Sequence, residues 1–165
     1  KAAANFAGFQ GDGTLVRDDS ACFYAYRQQM GDHAQNGIVA CCHIEDYENK
    51  IIKQHEKTRQ DKEDDRMRHM KALNANAGPV FIVHRDMPRL DRLVASARGA
   101  RPLFDFTAAD GIRHTVWCMT DTGEVTASFE QVPCCYIADG HHRCAAAVRV
   151  GQERRAANPA PPKRT

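Results

Sequence analysis

Residues 136–148 decide how this chain folds near its carboxyl end, and they read YIADGHHRCAAAV. An apolar strand is predicted to end at Ala138, and the alanine-rich half predicts a helix. The first amide groups of a helix have no partners inside it, and the helix dipole makes that end electropositive. Gly140 permits the close approach of a ligand, and Arg143 offers a planar fork for phosphate oxygens. The strand–helix corner therefore predicts a phosphate-binding site.

Two histidines and an aspartate leave the chemistry of this corner open. His141 and His142 add hydrogen-bond donors for an anion. Asp139 could bind magnesium or remove a proton, and magnesium shared with phosphates would reconcile the opposite charges. From the residues alone, an equally good interpretation is that Asp139 caps the helix and that the first turn is simply solvated.

Outside the corner, the spacing of apolar residues predicts alternating strands and helices. Helices are expected at 1–9, 61–73, 88–98 and 143–150, the last ending near Gly151. Strands are expected at 14–16, 22–27, 37–44, 78–83, 103–107, 115–119 and 134–137. Met67, Met70 and Leu73 are spaced for one apolar helix face. The mixture of hairpins and helices predicts an α/β or α+β domain with a small mixed sheet flanked by helices.

Composition narrows the class of protein. The chain has 165 residues, of which 42% are hydrophobic and 27% charged, as in ordinary globular domains. A net charge of +2 does not indicate nucleic acid as a partner. No apolar run approaches the roughly 20 residues of a membrane span, and no signal peptide is recognised, so we expect a cytoplasmic protein. We predict a single domain over residues 1–151 and a basic, proline-rich tail over residues 152–165.

The seven cysteines follow no metal-ligand spacing. Cys41 and Cys42 are sequence neighbours, as are Cys134 and Cys135, and neighbours in a strand point to opposite faces. No C-x-x-C string occurs. Because most of the cysteines lie in apolar, strand-like runs, we interpret them as reduced, small hydrophobic residues.

The corner also carries a resemblance. The string IADGHHR at residues 137–143 resembles the motif of a bacterial family known as domain of unknown function 1015. That family is similar to proteins of the ParB/sulfiredoxin fold, which include an archaeal kinase that phosphorylates free serine. Family members are longer at both ends, so the chain is expected to be an internal piece of a longer protein. Further segments resemble family landmarks, in family order: Leu15–Asp19, Tyr24–Gln28, Gly37–Val39, His55–Thr58, Glu63–Arg66, Asn76–Pro79 and Arg154–Pro159.

The resemblance implies which residues form the site. The related serine kinase carries the D-G-H-H-R motif and, upstream of it, a Lys-Pro-His-Glu string, where this sequence reads KQHE at residues 53–56. By this resemblance, Glu56 and Asp139 are the catalytic carboxylates, and Asp139 is also the candidate magnesium ligand. The phosphates of ATP or ADP would be held by Gly140, His141, His142 and Arg143, with His55 and Arg59 in support.

The resulting hypothesis is a nucleotide-dependent kinase that acts on the hydroxyl group of a small molecule such as serine. Glu56 would orient the hydroxyl and take its proton. The helix start and Arg143 would stabilise charge on the transferred group. Two alternatives stay open: a regulatory, non-catalytic nucleotide-binding module of the ParB type, and a metal-dependent hydrolase that uses the histidines as ligands.

Overall fold

The structure, a computed structural model, describes residues 1–158. This part of the chain contains six helices and seven strands, which form two compact units. The helices are α1 (Ala2–Gly11), α2 (Ile44–Glu48), α3 (Gln60–Leu73), α4 (Pro88–Ala97), α5 (Thr122–Phe129) and α6 (His141–Ala157). The strands are β1 (Phe23–Met30), β2 (His33–Val39), β3 (Ile52–Lys53), β4 (Phe81–His84), β5 (Phe104–Thr107), β6 (Arg113–Met119) and β7 (Cys135–Asp139).

Unit 1 contains residues 1–17, 43–84 and, within the described chain, 134–158. Its three-stranded sheet has the order β3-β7-β4, with β3 parallel and β4 antiparallel to the central β7. Helix α3 packs against α6. The core between these helices contains Met67, Met70, Ala146 and Val150. The central strand therefore leads straight into a core helix, and the corner quoted above is the connection between them.

Helix α3 illustrates how the sequence produces these elements. Asp61 and Glu63 lie in its first turn and Lys71 in its last, the arrangement that complements the helix dipole. The predicted apolar face is confirmed, since Met67 and Met70 are buried. The helix ends at Asn74, whose φ of 52° is a left-handed conformation that asparagine tolerates at a helix terminus.

Unit 2 contains residues 18–42 and 85–133. Its antiparallel sheet has the order β2-β1-β6-β5. Helices α4 and α5 contribute to a core with one face of this sheet. The buried members of that core are Ala25, Val94, Trp117, Met119 and Val125. Helix α5 is capped by Asp121, whose side chain accepts a hydrogen bond from the Glu124 amide.

The predicted mixed α+β class is confirmed, including the small sheet with both parallel and antiparallel pairs. The helices predicted at 61–73 and 88–98 and the hairpin around residues 110–111 are confirmed within a residue or two. The likeness to the ParB/sulfiredoxin fold and the single domain over residues 1–151 stay predictions. None of the helices within residues 1–158 combines the length and the apolar character needed to cross a lipid bilayer.

Two of the strand predictions were wrong, one in the existence of the strand and one in where it ends. Residues 14–16 form no strand. The strand predicted over 37–44 ends at Val39, and α2 begins at Ile44. The connecting residues Cys41 and Cys42 are exposed, so this apolar run does not continue into a core.

The predicted end of the last helix was also wrong. Helix α6 continues through Gly151 to Ala157, so residues 152–157 of the predicted tail are helical. Gly151 does not end the helix but allows close packing, because a Cβ atom there would lie 2.7 Å from Cδ1 of Ile44. Residues 159–165 of the predicted tail lie outside the described residues.

Candidate functional site

An open depression of about 210 Å³ lies at the start of α6. It is lined by Glu56, Arg66, Asp139, Gly140, His141, His142 and Arg143. The structure therefore brings together both predicted carboxylates and all four predicted phosphate-binding residues. They come from two places, the loop between β3 and α3 and the corner between β7 and α6. We call this depression the corner pocket.

Gly140 makes the sharp transition from strand to helix. It is the N-cap residue of α6, with φ 94° and ψ 29°, a left-handed conformation that favours glycine. A Cβ atom at this position would lie 2.9 Å from Nη2 of Arg143 and 3.0 Å from its Nε. No side chain among residues 1–158 caps the helix by a hydrogen bond. The N-terminus of this 17-residue helix thus keeps the uncapped amides and the dipole that favour anions.

Asp139 does not act as the helix cap. Its Oδ2 atom instead accepts a hydrogen bond of 2.6 Å from Nη2 of Arg143. The Asp139 side chain is 74% exposed, whereas that of Arg143 is 34% exposed. The buried Nε of Arg143 finds no hydrogen-bond partner among residues 1–158. The guanidinium is therefore held in position by one carboxylate while part of its donor capacity stays unused.

His141 is the most buried residue of the corner pocket, with 3% of its side chain exposed. Its Nδ1 lies 3.4 Å from Oε2 of Glu56, and its ring meets that of His55 edge-on at 4.5 Å. A carboxylate beside Nδ1 favours the proton on that nitrogen. The other nitrogen, Nε2, is buried without a partner anywhere in the described chain. Buried polar atoms are normally hydrogen-bonded, so this one indicates a missing ligand or water.

His142 holds the loop that carries Glu56. Its Nε2 accepts a hydrogen bond of 3.2 Å from the backbone amide of Arg59. A nitrogen that accepts from an amide carries no proton, so His142 can donate to a phosphate only through Nδ1.

The two supporting residues predicted from sequence differ in their placement. The ring of His55 contacts that of His141 edge-on, but His55 is not among the residues that line the corner pocket. The side chain of Arg59 instead binds both oxygens of Asp61, at 3.1 and 2.8 Å. Desolvation acts to raise the pKa of the Asp61 carboxyl, but the Arg59 guanidinium outweighs it, and the pKa is lowered. Arg59 therefore supports the site through its backbone amide and not through its charge.

A buried carboxylate on α3 anchors the loop that carries Glu56. Glu63 of α3 is 8% exposed and accepts hydrogen bonds from the Thr58 hydroxyl and, at 2.8 Å, from Nη1 of Arg149. Hydrogen bonds to Glu63 and then to Asp64 raise the pKa of the Arg149 guanidinium, so this cation stays charged. At the other end of the loop, the Tyr47 hydroxyl donates to Gln54. The position of Glu56 is thus fixed from both sides.

We expect Glu63→Ala to loosen this loop. Removing the carboxylate leaves Thr58 without its acceptor and Arg149 with one carboxylate fewer, a loss of about 1–3 kcal/mol in the free energy of unfolding. Limited proteolysis should show faster cleavage within residues 54–59. Asp64→Ala is the matched control, because Asp64 also binds Arg149, at 2.9 Å, whereas the Thr58 hydroxyl donates to Glu63. Equal cleavage of the two variants would contradict the anchoring role of Glu63.

Arg66 is the one pocket-lining residue that the sequence analysis did not select. It belongs to the Glu63–Arg66 landmark and follows Glu63 by three residues, which places the two on neighbouring positions of one helix face. That spacing was the available signal. What the sequence did not reveal is that this face of α3 reaches the corner pocket.

No group of three or more His, Cys, Asp or Glu side chains in residues 1–158 is arranged to hold a metal ion by itself. The histidines of the corner pocket are engaged with Glu56, His55 and the Arg59 amide. This arrangement differs from the three protein ligands typical of a catalytic zinc site.

Comparison with known proteins identifies the family. No curated protein and no solved structure matches the chain significantly. One family model, described as "Protein of unknown function (DUF1015)", matches residues 1–165, the full length of the sequence. The chain therefore belongs to the DUF1015 family.

Proposed function

We propose that this protein binds a nucleotide by its phosphates at the start of α6 and transfers a phosphoryl group to the hydroxyl of a small molecule. One observation carries the proposal: the corner pocket combines two carboxylates with an uncapped helix N-terminus and with the Arg143 guanidinium, whose buried Nε has no hydrogen-bond partner in the described chain. Carboxylates suit proton transfer, and the nitrogen groups suit phosphate oxygens.

The donors of the corner pocket match a polyphosphate better than a carboxylate ligand. The helix amides and the Arg143 guanidinium are separate sources of N–H groups, and a phosphate chain offers many acceptor oxygens. Arg66 adds a second cation at the pocket wall. A single carboxylate ligand would leave several of these donors unused.

Two acidic side chains beside phosphates require a counter-charge. Asp139 and Glu56 are exposed by 74% and 61%, and carboxylate oxygens are the ligands that magnesium prefers in proteins. The residues present therefore fit magnesium held by Asp139, with phosphate oxygens and waters completing its shell. When bound, the ion would neutralise charge on the phosphates.

The proposed reaction is a direct phosphoryl transfer. Glu56 accepts the proton of the substrate hydroxyl, whose oxygen forms a bond to the terminal phosphorus of the nucleotide. The bond from that phosphorus to its bridging oxygen breaks, and the shortened nucleotide leaves with the bonding electrons. Arg143 and the helix amides stabilise charge on the transferred group. With ATP as the phosphoryl donor the leaving group is ADP, and with ADP as the donor it is AMP.

Serine is the acceptor suggested by the resemblance to the free-serine kinase. Its ammonium group would form an ion pair with a carboxylate of the corner pocket, and its hydroxyl would lie near the proposed base. The same pocket would serve a ParB-type regulatory module if the nucleotide bound without turnover.

The test is a product assay on the purified protein. It is incubated with magnesium, ATP or ADP and a pool of amino acids, and phosphorylated products are sought by mass spectrometry. A new phosphorylated amino acid supports the proposal. Nucleotide binding by calorimetry without any product from hydroxylated metabolites would support the regulatory alternative, and absence of nucleotide binding would overturn both.

A further inference from the structure

The sheet of unit 2 has an open face, opposite the one that packs in the core. Residues directly opposite each other in an antiparallel sheet project to the same side. The register aligns Tyr26 with Gly37 and Val116, and Val116 with Phe104. The neighbouring Ala25, aligned with Trp117, projects into the core. We call the face that carries Tyr26 and its aligned neighbours the open sheet face.

The residues that the four strands contribute to the open sheet face include no Asp, Glu, Lys or Arg. At one end of the face, the carboxylate of Asp18 accepts a hydrogen bond from the Tyr24 hydroxyl. The charged residues of these four strands are Arg27, Asp105 and Arg113. Arg27 and Asp105 are aligned with Thr115, and Arg113 lies two residues before Thr115 on β6, so all three project to the core side of the sheet. The open side instead exposes large apolar residues, among them Phe104 at 62% and Phe106 at 54%. A contiguous surface with few charges and several exposed aromatic rings usually marks an interaction site.

An aromatic row crosses the open sheet face. The rings of Phe106 and His114 are stacked at 5.2 Å, and those of His114 and Tyr26 at 6.0 Å. The Tyr26 hydroxyl and Nδ1 of His114 are also hydrogen-bonded at 2.6 Å. Because the stacked ring faces cover one another, they leave little platform for nucleobases, and the face offers no Lys or Arg for phosphates. An apolar protein surface fits it better than nucleic acid does.

We infer that the open sheet face binds a second copy of this chain. Apart from Asp18 at its end, the strands of this face carry no charge that would repel a second copy, and symmetric pairing requires a self-complementary surface. The face has bulky Phe104 and Phe106 on edge strand β5, whereas edge strand β2 carries Gly37, where an added Cβ would meet nothing within 4 Å. A two-fold axis parallel to the strands sets β5 of one copy over β2 of the other, so the rings fill the space above Gly37.

The first test measures self-association by analytical ultracentrifugation over a range of protein concentrations. The parent protein should form a dimer, and Phe106→Glu should weaken dimerisation at least tenfold. Phe9→Glu is the control, because Phe9 is also exposed, at 46%, but lies on α1 of unit 1. A parent protein that stays monomeric throughout, or a Phe106→Glu variant that dimerises like the parent, would overturn the inference.

A second test introduces charges on the open sheet face and asks whether opposite charges restore association. Gln28 and Gln35 are aligned and exposed on the open sheet face. Replacing both by lysine, or both by glutamate, should give two variants that are folded by circular dichroism but monomeric. Mixing them should restore dimers, because the two substituted β1 strands are diagonal neighbours across the proposed axis, where like charges repel in each variant and opposite charges attract in the mixture. Failure of the mixture to associate, with both variants folded, counts against pairing through this face.

Discussion

Replacing Glu56 by glutamine should lower the rate of phosphoryl transfer by at least about 100-fold, the usual contribution of a general base. Glutamine keeps the size of the side chain but loses its charge and its basicity. Glu56 is 61% exposed, so the free energy of unfolding should stay unchanged. Nucleotide affinity should also change little, since the proposed phosphate contacts come from the helix start and Arg143.

Turnover and binding must be measured separately to test this assignment. Product formation gives the rate, and calorimetry gives the nucleotide affinity. Glu130→Gln is the matched control, because Glu130 is an exposed glutamate in unit 2. If Glu56→Gln kept a rate within a few-fold of the parent, Glu56 would not be the base. Asp139→Asn should reduce the rate as well, but it should also change nucleotide affinity, because it removes the partner of Arg143.

The sequence predicted best what depends on local periodicity and on the corner itself. The helix at 61–73 and the strand before Asp139 were predictable because their apolar spacing and terminal charges agree. The sequence analysis missed α5, which has only eight residues, among them two threonines and one glycine. Its signal was present, however, since Asp121 and Glu124 have the spacing of an N-cap residue and its third helical position.

Features that depend on contacts between distant segments of the chain were harder to predict from the sequence. Gly151 looks like a helix terminator in sequence, and only its contact with Ile44 shows that it serves close packing. His142 looks like a phosphate donor, yet its Nε2 is bonded to the amide of Arg59, 83 positions earlier in the chain. The resemblance pointed to the residues of the corner pocket, whereas the contacts that distinguish one residue from another are visible only in the structure.

That geometry makes Gly140→Ala the second large expected effect. Alanine at φ 94° is strained, by roughly 1–2 kcal/mol. Its Cβ would also lie within 3.0 Å of two guanidinium nitrogens, so the end of the Arg143 side chain must shift, including Nη2, which donates to Asp139. We expect nucleotide affinity to fall at least tenfold, because the displaced guanidinium no longer meets the phosphates with the helix amides.

Gly111→Ala separates strain from displacement. Gly111 has a similar φ of 83°, but an added Cβ there meets nothing within 4 Å. Both variants should lose stability in thermal unfolding, whereas only Gly140→Ala should lose nucleotide affinity by calorimetry. Equal affinity in the two variants would mean that Arg143 does not contact the ligand. Because the control carries the same kind of backbone strain, a selective loss at Gly140 would assign the effect to the guanidinium.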